Sequence, residues 1–308
     1  MGILRLETAQ IHVSGTIKAF SRASAGKGAT ARMRRLIRAR EPRQWSPDRS
    51  NMEHKDLVRE EFTRQANDYA TAPAIRDAEH LRKLVEIVAP PADARVLEVA
   101  TGPGHVAMAF AAVSREVVGI DLTDAPLKIA EQMRAERGIT NVSFQKGDVE
   151  SRLPFDDGEF DVVVCRFAIH HFAAPEKVIA EMARVCRADG LVAIEDLIAS
   201  EQPERAAYYN EFERLRDTSH TSALAMSELV RMMGAAGLEI VRFTSHGYRT
   251  PVSQWIKAAH TSPERAAKAI AMVERDAAED LSGARPSRID GELYFAYRIA
   301  MLVTRKLR

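Results

Sequence analysis

The chain has 308 residues, a formal net charge of +1, 46% hydrophobic and 28% charged residues, and two cysteines. These values describe a globular chain of one large domain or two small ones. They exclude a membrane helix, because no apolar run approaches the roughly 18 residues one needs, and a disulfide framework, because Cys165 and Cys186 sit in apolar strand-like and helix-like contexts that suit a reducing, cytoplasmic compartment.

Charge is unevenly spread. Residues 1–50 hold eleven Lys/Arg against three Asp/Glu, a net of +8, and the remainder nets −7. Residues 1–51 form a basic leader that includes "ARMRRLIRARE", with many Ser, Gly and Ala and no sustained amphipathic pattern. Three readings stand side by side. It is a disordered extension, or upstream sequence ahead of a working start at Met52. It is an Arg-rich, acid-poor transit peptide, which would direct the protein to an organelle. Or it is a tail that binds nucleic acid or anionic lipid.

From Glu53 onward the pattern is regular. "KDLVREEFTRQANDYA" predicts a first helix ending near Tyr69, and "RDAEHLRKLVEIV" a second with Leu81, Leu84, Val85 and Val88 on one stripe. "APPADA" then makes a turn. "RVLEVA" is a strand, "HVAMAFAAV" a helix, "EVVGID" a strand, "APLKIAEQMRAERG" a helix closed by Gly138, and "VSFQKGD" a strand. "FDVVVCRF" is nearly unbroken apolar, as expected of a strand buried on both faces. "PEKVIAEMARVCRADG" predicts a helix from Pro175 to a stop at Gly190, and "LVAIEDL" a fifth strand. This alternation predicts a doubly wound, mostly parallel α/β sheet with helices on both faces.

After Ser200 the rhythm changes. "PERAAYYNEFERLRD" is a helix, followed by a loop and a second helix with Ser227 as N-cap and Glu228 in its first turn. "LEIVRFTSHGYRT" is a strand, residues 251–282 are helical and polar, and "ELYFAYRIAMLVTRK" is a final strand or two half-strands.

Chemistry concentrates at the strand tips. Gly102-Pro103-Gly104-His105-Val106-Ala107 fits a loose G-x-G-x-x-[GA] turn, which lets backbone approach a ligand at a helix N-terminus. Asp121 ends the second strand, where a carboxylate accepts both hydroxyls of a ribose. That position also suits NAD-binding enzymes. Two other carboxylates discriminate. Glu98, ahead of the turn, would repel a pyrophosphate but suits a ligand carrying a sulfonium and an α-ammonium. Asp148 ends the third strand, where it can accept an exocyclic adenine amine.

With these residues in place, "VLEVATGPGH", "VVGIDLT", "GDVESRLPFDDGEFDVVVCRFAIHHF" and "EMARVCRADGLVAI" together resemble the successive motifs of class I S-adenosylmethionine-dependent methyltransferases. The likeness covers about residues 60–245 and is nearest the small-molecule branch that includes the ubiquinone/menaquinone methyltransferases. It implies a Rossmann-like, seven-stranded sheet whose last two strands form an antiparallel hairpin, here separated by a long helical insert. The methyltransferase domain would span 52–308, with helical substrate-cover segments near 201–226 and 251–290. The resemblance also implies that Glu98, Thr101, Gly102 and Gly104 surround the methionine part of S-adenosyl-L-methionine. Asp121 would hold the ribose, Leu122 would pack on adenine, Asp148 and the backbone at Val149 would read the adenine edge, and Arg166 would lie near the methionine end. The quinone enzymes' Gly, His and Trp signature after the fourth strand and their aromatic C-terminal ending are not found, so ring-carbon methylation is not implied.

Methyl transfer from a sulfonium needs alignment and, for a hydroxyl or acidic carbon, a base. "AIHHF" offers His170 and His171, one to face the acceptor and one to support the loop; "RDTSHTSA" offers His220, or a loop cap. Tyr208, Tyr209, Phe212, Met232 and Met233 either line an apolar acceptor pocket or pack as helical core. The expected partner is a small-molecule methyl acceptor, with no metal. A nucleic-acid methyltransferase draws support only from the leader, against a −7 remainder and no Asn/Asp-Pro-Pro-aromatic base-flipping motif. An NAD(P)-dependent oxidoreductase would want glycine where Ala107 stands and leaves Glu98 and Asp148 without a role.

Overall fold

The computed structural model describes residues 49–308. Residues 53–308 form one compact unit. The basic leader lies outside the described residues, except that 49–51 open the first helix.

In chain order the elements are α1 (Arg49–Thr71), α2 (Pro73–Arg76), α3 (Ala78–Val88), β1 (Arg95–Val99), α4 (His105–Ala111), β2 (Glu116–Asp121), α5 (Asp124–Glu136), β3 (Val142–Lys146) and β4 (Phe160–Arg166). There follow α6 (Pro175–Val185), β5 (Cys186–Ala199), α7 (Pro203–Arg216), β6 (Leu224–Ala225), α8 (Met226–Ala235), β7 (Leu238–Pro251), α9 (Val252–Ala258), α10 (Pro263–Glu279), β8 (Ser287–Ile289) and β9 (Glu292–Lys306). The sheet order is β3-β2-β1-β4-β5-β9-β7, with β6 pairing β5 and β8 pairing β9. β1 to β5 are parallel, and β9 runs antiparallel between β5 and β7. The expected doubly wound sheet and terminal antiparallel pair are therefore present. No helix of the described residues is long and apolar enough to cross a membrane.

Side-chain alternation sorts the core. Leu97, Val99, Val163, Cys165, Val192 and Ile194 pack with α6 and α8 on one face. Val96, Val162, Val164, Leu191, Ala193, Met301 and Val303 pack with α3 and α4 on the other. Both faces are apolar, which is why the parallel strands read as continuous aliphatic runs. The same parity separates neighbours. Glu195 shares the α3 face with Leu191 and Ala193, and Asp196 shares the α6 face with Val192 and Ile194.

Two local expectations are corrected, and the open alternatives resolve to one reading each. The helix read through to Gly190 ends at Val185, because buried Cys186 turns extended and pairs with Phe160 on β4. Gly190 is instead a close-approach glycine: an added Cβ would meet Cys186 Sγ at 2.7 Å and the Asp161 carbonyl oxygen at 2.9 Å. Ala225, not Ser227, is the N-cap of α8, and the Glu228 carboxylate accepts the Ala225 N–H at 2.9 Å. Residues 251–282 divide into α9 and α10, and β9 is a single long strand. Tyr209, Phe212 and Met233 are fully buried in core clusters, Tyr209 and Phe212 with Trp255 and Phe295, and are not pocket lining.

Candidate functional site

The strand tips of β1 to β4 open into one cleft, at the carboxyl edge where open α/β sheets take ligands. Ala100 and Gly102 line it after β1, Asp121, Leu122 and Thr123 at and after β2, Asp148, Val149 and Glu150 after β3, and Arg166, Phe167, Ala168, His171 and Phe172 at and after β4. Lys55, Val58, Phe62 and Tyr69 of α1 form the remaining wall. The free space between them is about 70 Å³, well below the roughly 300–1,000 Å³ of a typical ligand pocket, because α1 lies across the opening. A larger, more open depression of about 460 Å³ between α1, α3, α4 and α5 contains His105 but none of the strand-tip carboxylates.

The turn after β1 is held by two acids in different ways. Gly102 and Gly104 take φ of +52° and +77°, where L side chains are strained, and a Cβ on Gly104 would strike the Phe144 ring. Asp121 Oδ2 accepts the Gly102 N–H at 2.8 Å, and Oδ1 accepts the Thr123 N–H at 2.9 Å. Burial raises the Asp121 carboxyl above its ordinary range against these bonds. Glu98 does not line the cleft. It points to the α3/α4 face, beneath the turn, where Oε2 accepts the Thr101 hydroxyl at 2.5 Å and the Ala107 N–H at 2.7 Å. Ala107 is the third residue of α4, so Glu98 supplies the N-cap acceptor that Gly104 has no side chain to give. Burial pushes the Glu98 carboxyl up to about 8, against those same two bonds. Thr101 and Gly104 likewise shape the turn and do not reach the cleft.

Asp148 is half engaged from above. Lys55 Nζ approaches its Oδ2 at 2.6 Å, Ser151 Oγ donates to the same oxygen at 2.8 Å, and the Glu150 N–H donates to Oδ1 at 3.0 Å. Burial works against ionisation, but Lys55 and Ser151 hold the carboxyl below its usual value. Arg166 is the last residue of β4. Its Nε donates to Glu195 Oε2 at 2.8 Å, and its two terminal nitrogens donate to the Ala74 and Ile75 carbonyls, tying α2 to the sheet.

The three expected histidines meet. His170 and His171 lie in a short 3-10 turn (Ile169–His171) after β4, and His220 arrives on the loop after α7. Ring centroids are 4.2 Å apart for His170 and His171, and 5.5 Å for His170 and His220. Only His171 lines the cleft. His170 bonds through Nδ1 to Asp196 Oδ1, and although burial opposes its charge, Asp196 raises its pKa. His171 Nδ1 donates to the Ser219 carbonyl at 3.0 Å, which fixes the tautomer with Nε2 free of a proton. Burial first, and the His170 charge second, push the His171 pKa down to about 4. His220 Nε2 donates to Asn210 Oδ1 at 2.8 Å, and burial drives its pKa well below the ordinary histidine value. Within the trio, Asp196 thus favours the charged form of His170, while burial favours the neutral forms of His171 and His220, and His171 is the one beside the cleft.

Two parts of this site carry no local signal of function. Asp196 lies within an ordinary apolar strand. The α1 wall looks like any amphipathic helix, with Lys55, Val58, Phe62 and Tyr69 at i, i+3, i+7 and i+14 on one stripe.

A doubly wound sheet with a reversed terminal strand pair, a glycine turn after β1 and acids at the tips of β2 and β3 defines a Rossmann-like transferase fold. The chain belongs to the methyltransferase domain family, whose model matches residues 91–244. It is 34% identical over 204 residues to "Uncharacterized methyltransferase YcgJ" of Bacillus subtilis, covering 66% of this chain and 80% of that one. The crystal structure of YcgJ superposes with a TM-score of 0.70 at 30% identity, over 75% of this chain and 99% of that one. A putative methyltransferase from Bacillus halodurans superposes equally well, with a TM-score of 0.70 at 31% identity, over 75% of this chain and all of that one. "Ubiquinone biosynthesis O-methyltransferase" of Thiobacillus denitrificans is 32% identical over 169 residues, 53% of this chain and 72% of that one. The protein is a methyltransferase.

Proposed function

We propose that the protein transfers a methyl group from S-adenosylmethionine to a small, acidic acceptor. The observation that carries this reading is the single cleft joining Gly102, Asp121 and Asp148 to the neutral His171. The donor set fits the cofactor. Each Asp121 oxygen accepts one backbone N–H and keeps a lone pair for a ribose hydroxyl. Leu122 and Val149 give apolar walls for a flat base, with the Asp148 carboxylate at its edge. When bound, the cofactor supplies a methyl group on a sulfonium, already activated for in-line displacement.

The chain's own work is then alignment and proton handling. Alignment in a closed cleft is worth about 7–11 kcal/mol. His171 Nε2 is the proton acceptor at the cleft wall, and Ser219 holds its tautomer. Burial keeps this imidazole neutral, so Nε2 is available to take a proton, and so weak a base suits an acceptor that is itself acidic, such as an enol or carboxylic acid, better than an aliphatic alcohol. The naming of a ubiquinone-pathway O-methyltransferase among the relatives supports a small oxygen acceptor. The −7 net charge of the chain beyond residue 50 supports a small molecule over a nucleic acid.

The test is methyl transfer from isotopically labelled S-adenosylmethionine into a cell extract, with labelled products separated by size and identified by mass spectrometry. The reading expects label in a small acidic compound. Label in RNA, DNA or protein alone would contradict it.

A further inference from the structure

A second constellation lies on the α3 face of the sheet, outside the cleft. His80 from α3, Glu195 from β5 and His246 from β7 bring one ligand atom each to within 4.8 Å of one another. The fold explains the meeting. Glu195 pairs with Met301 on β9, and Met301 pairs with Thr244 on β7. Opposed residues share a face, and so do residues two apart, which puts Glu195, Met301, Thr244 and His246 on one side. That side is covered by α3, whose Leu81, Leu84 and Val85 share a core cluster with Met301. His80, one residue before Leu81, thus enters over the carboxylate.

We propose that His80, Glu195 and His246 bind a first-row divalent metal ion that favours imidazole, zinc being the type case. Two imidazoles and one carboxylate are a common three-ligand zinc set that leaves a fourth position open. Glu195 is 2% exposed and already oriented: Oε2 is held by Arg166 at 2.8 Å and Oε1 faces His80 Nε2 at 2.8 Å. Arg166 thereby acts as the partner that fixes a ligating carboxylate. The His80 and His246 rings stand 4.9 Å apart, tilted at 52°. Zinc bonds to nitrogen and oxygen of about 2.0–2.2 Å place ligand atoms roughly 3.3 Å apart. His80 and Glu195 are already near that spacing, so His246 closes the set by a side-chain rotation at the half-buried edge of β7. A bound ion would clamp α3 to β7 across β9. It would also draw on the same carboxylate that anchors Arg166, a residue of the cleft wall.

The experiment is calorimetric titration of the untagged full chain, stripped with a chelator, with zinc chloride, and cobalt chloride as a visible-absorbing probe. The expected result is one zinc per chain, a tetrahedral cobalt spectrum, and no comparable uptake of magnesium, which prefers an all-oxygen shell. His246→Ala, at the half-buried edge of β7, should weaken zinc binding by at least about 100-fold while the metal-free chain keeps its fold by circular dichroism. His80→Ala should do the same, and His260→Ala, a surface histidine paired with Asp68, should leave it unchanged. Absence of zinc uptake would overturn the proposal, as would a cobalt spectrum and affinity indifferent to His246→Ala and His80→Ala.

Discussion

At the residue scale, Asp121 anchors the turn after β1, and the proposed site gives it a binding role as well. Removing its carboxylate deprives a ribose of charge-assisted acceptors, for a net loss of about 2–3 kcal/mol, or roughly thirty- to a hundred-fold in adenosylhomocysteine affinity. It also strips the Gly102 and Thr123 N–H groups of their acceptor, so Asp121→Ala should lower unfolding free energy by about 1–2 kcal/mol even without ligand. Thermal unfolding measured beside ligand affinity checks both. A change in stability alone would leave Asp121 as a turn anchor only. Glu98 gives a pH signature. Its carboxyl sits at about 8 in the folded chain against an ordinary 4.5, so the folded state binds that proton more tightly than the unfolded state does. Its contribution to stability therefore falls as pH rises from about 4.5 to 8, by up to about 1.4 kcal/mol per pH unit. Denaturant unfolding of Glu98→Gln across that range should lack this slope, and parallel curves for the two proteins would refute the assignment. His171→Ala should reduce turnover by roughly 10²–10⁴ with adenosylhomocysteine affinity little changed. Equal losses in both would make His171 a binding residue. The strand-tip acids were legible because their type and position along the chain are local facts. That Glu98 caps α4 was not, since it depends on which way the side chain leaves β1.

At the scale of elements, α1 is the part whose role the sequence hid. Its amphipathic stripe is visible in the spacing of Lys55, Val58, Phe62 and Tyr69, but nothing local says that the stripe closes a cleft built forty to a hundred residues later. Lys55 occupies the Asp148 carboxylate that an adenine amine would use. This half-buried pair contributes on the order of 1 kcal/mol or less. Lys55→Met should therefore tighten adenosylhomocysteine binding by about three- to fivefold, measured by calorimetry. Weaker binding instead would show that Lys55 belongs to the ligand-bound arrangement. Elsewhere the local signals competed with tertiary ones. Cys186 to Gly190 reads as helix by continuity, and strand pairing with Phe160 overrides it. The short β8–β9 hairpin was marked by Asp290-Gly291, both at positive φ (50° and 84°), the turn chemistry that two-residue hairpins demand. That signal was present in "RIDGEL" and passed over inside an otherwise polar stretch.

At the scale of the whole molecule, among the described residues every one that lines the cleft lies at position 55 or beyond, while the excess positive charge lies in the first fifty residues. A chain beginning at Arg49 should therefore match the full chain in adenosylhomocysteine affinity, and a large loss would give the basic leader a part in the site. The family match makes the molecule a methyltransferase, and the sheet with its reversed terminal pair agrees with it; in the proposed site the acids at the tips of β2 and β3 hold the cofactor. The most direct test of that central claim is calorimetric titration of the full chain with adenosylhomocysteine and, separately, with NAD. One adenosylhomocysteine should bind per chain, more weakly in Asp121→Ala, and NAD should give no heat. Binding of NAD without binding of adenosylhomocysteine would contradict it.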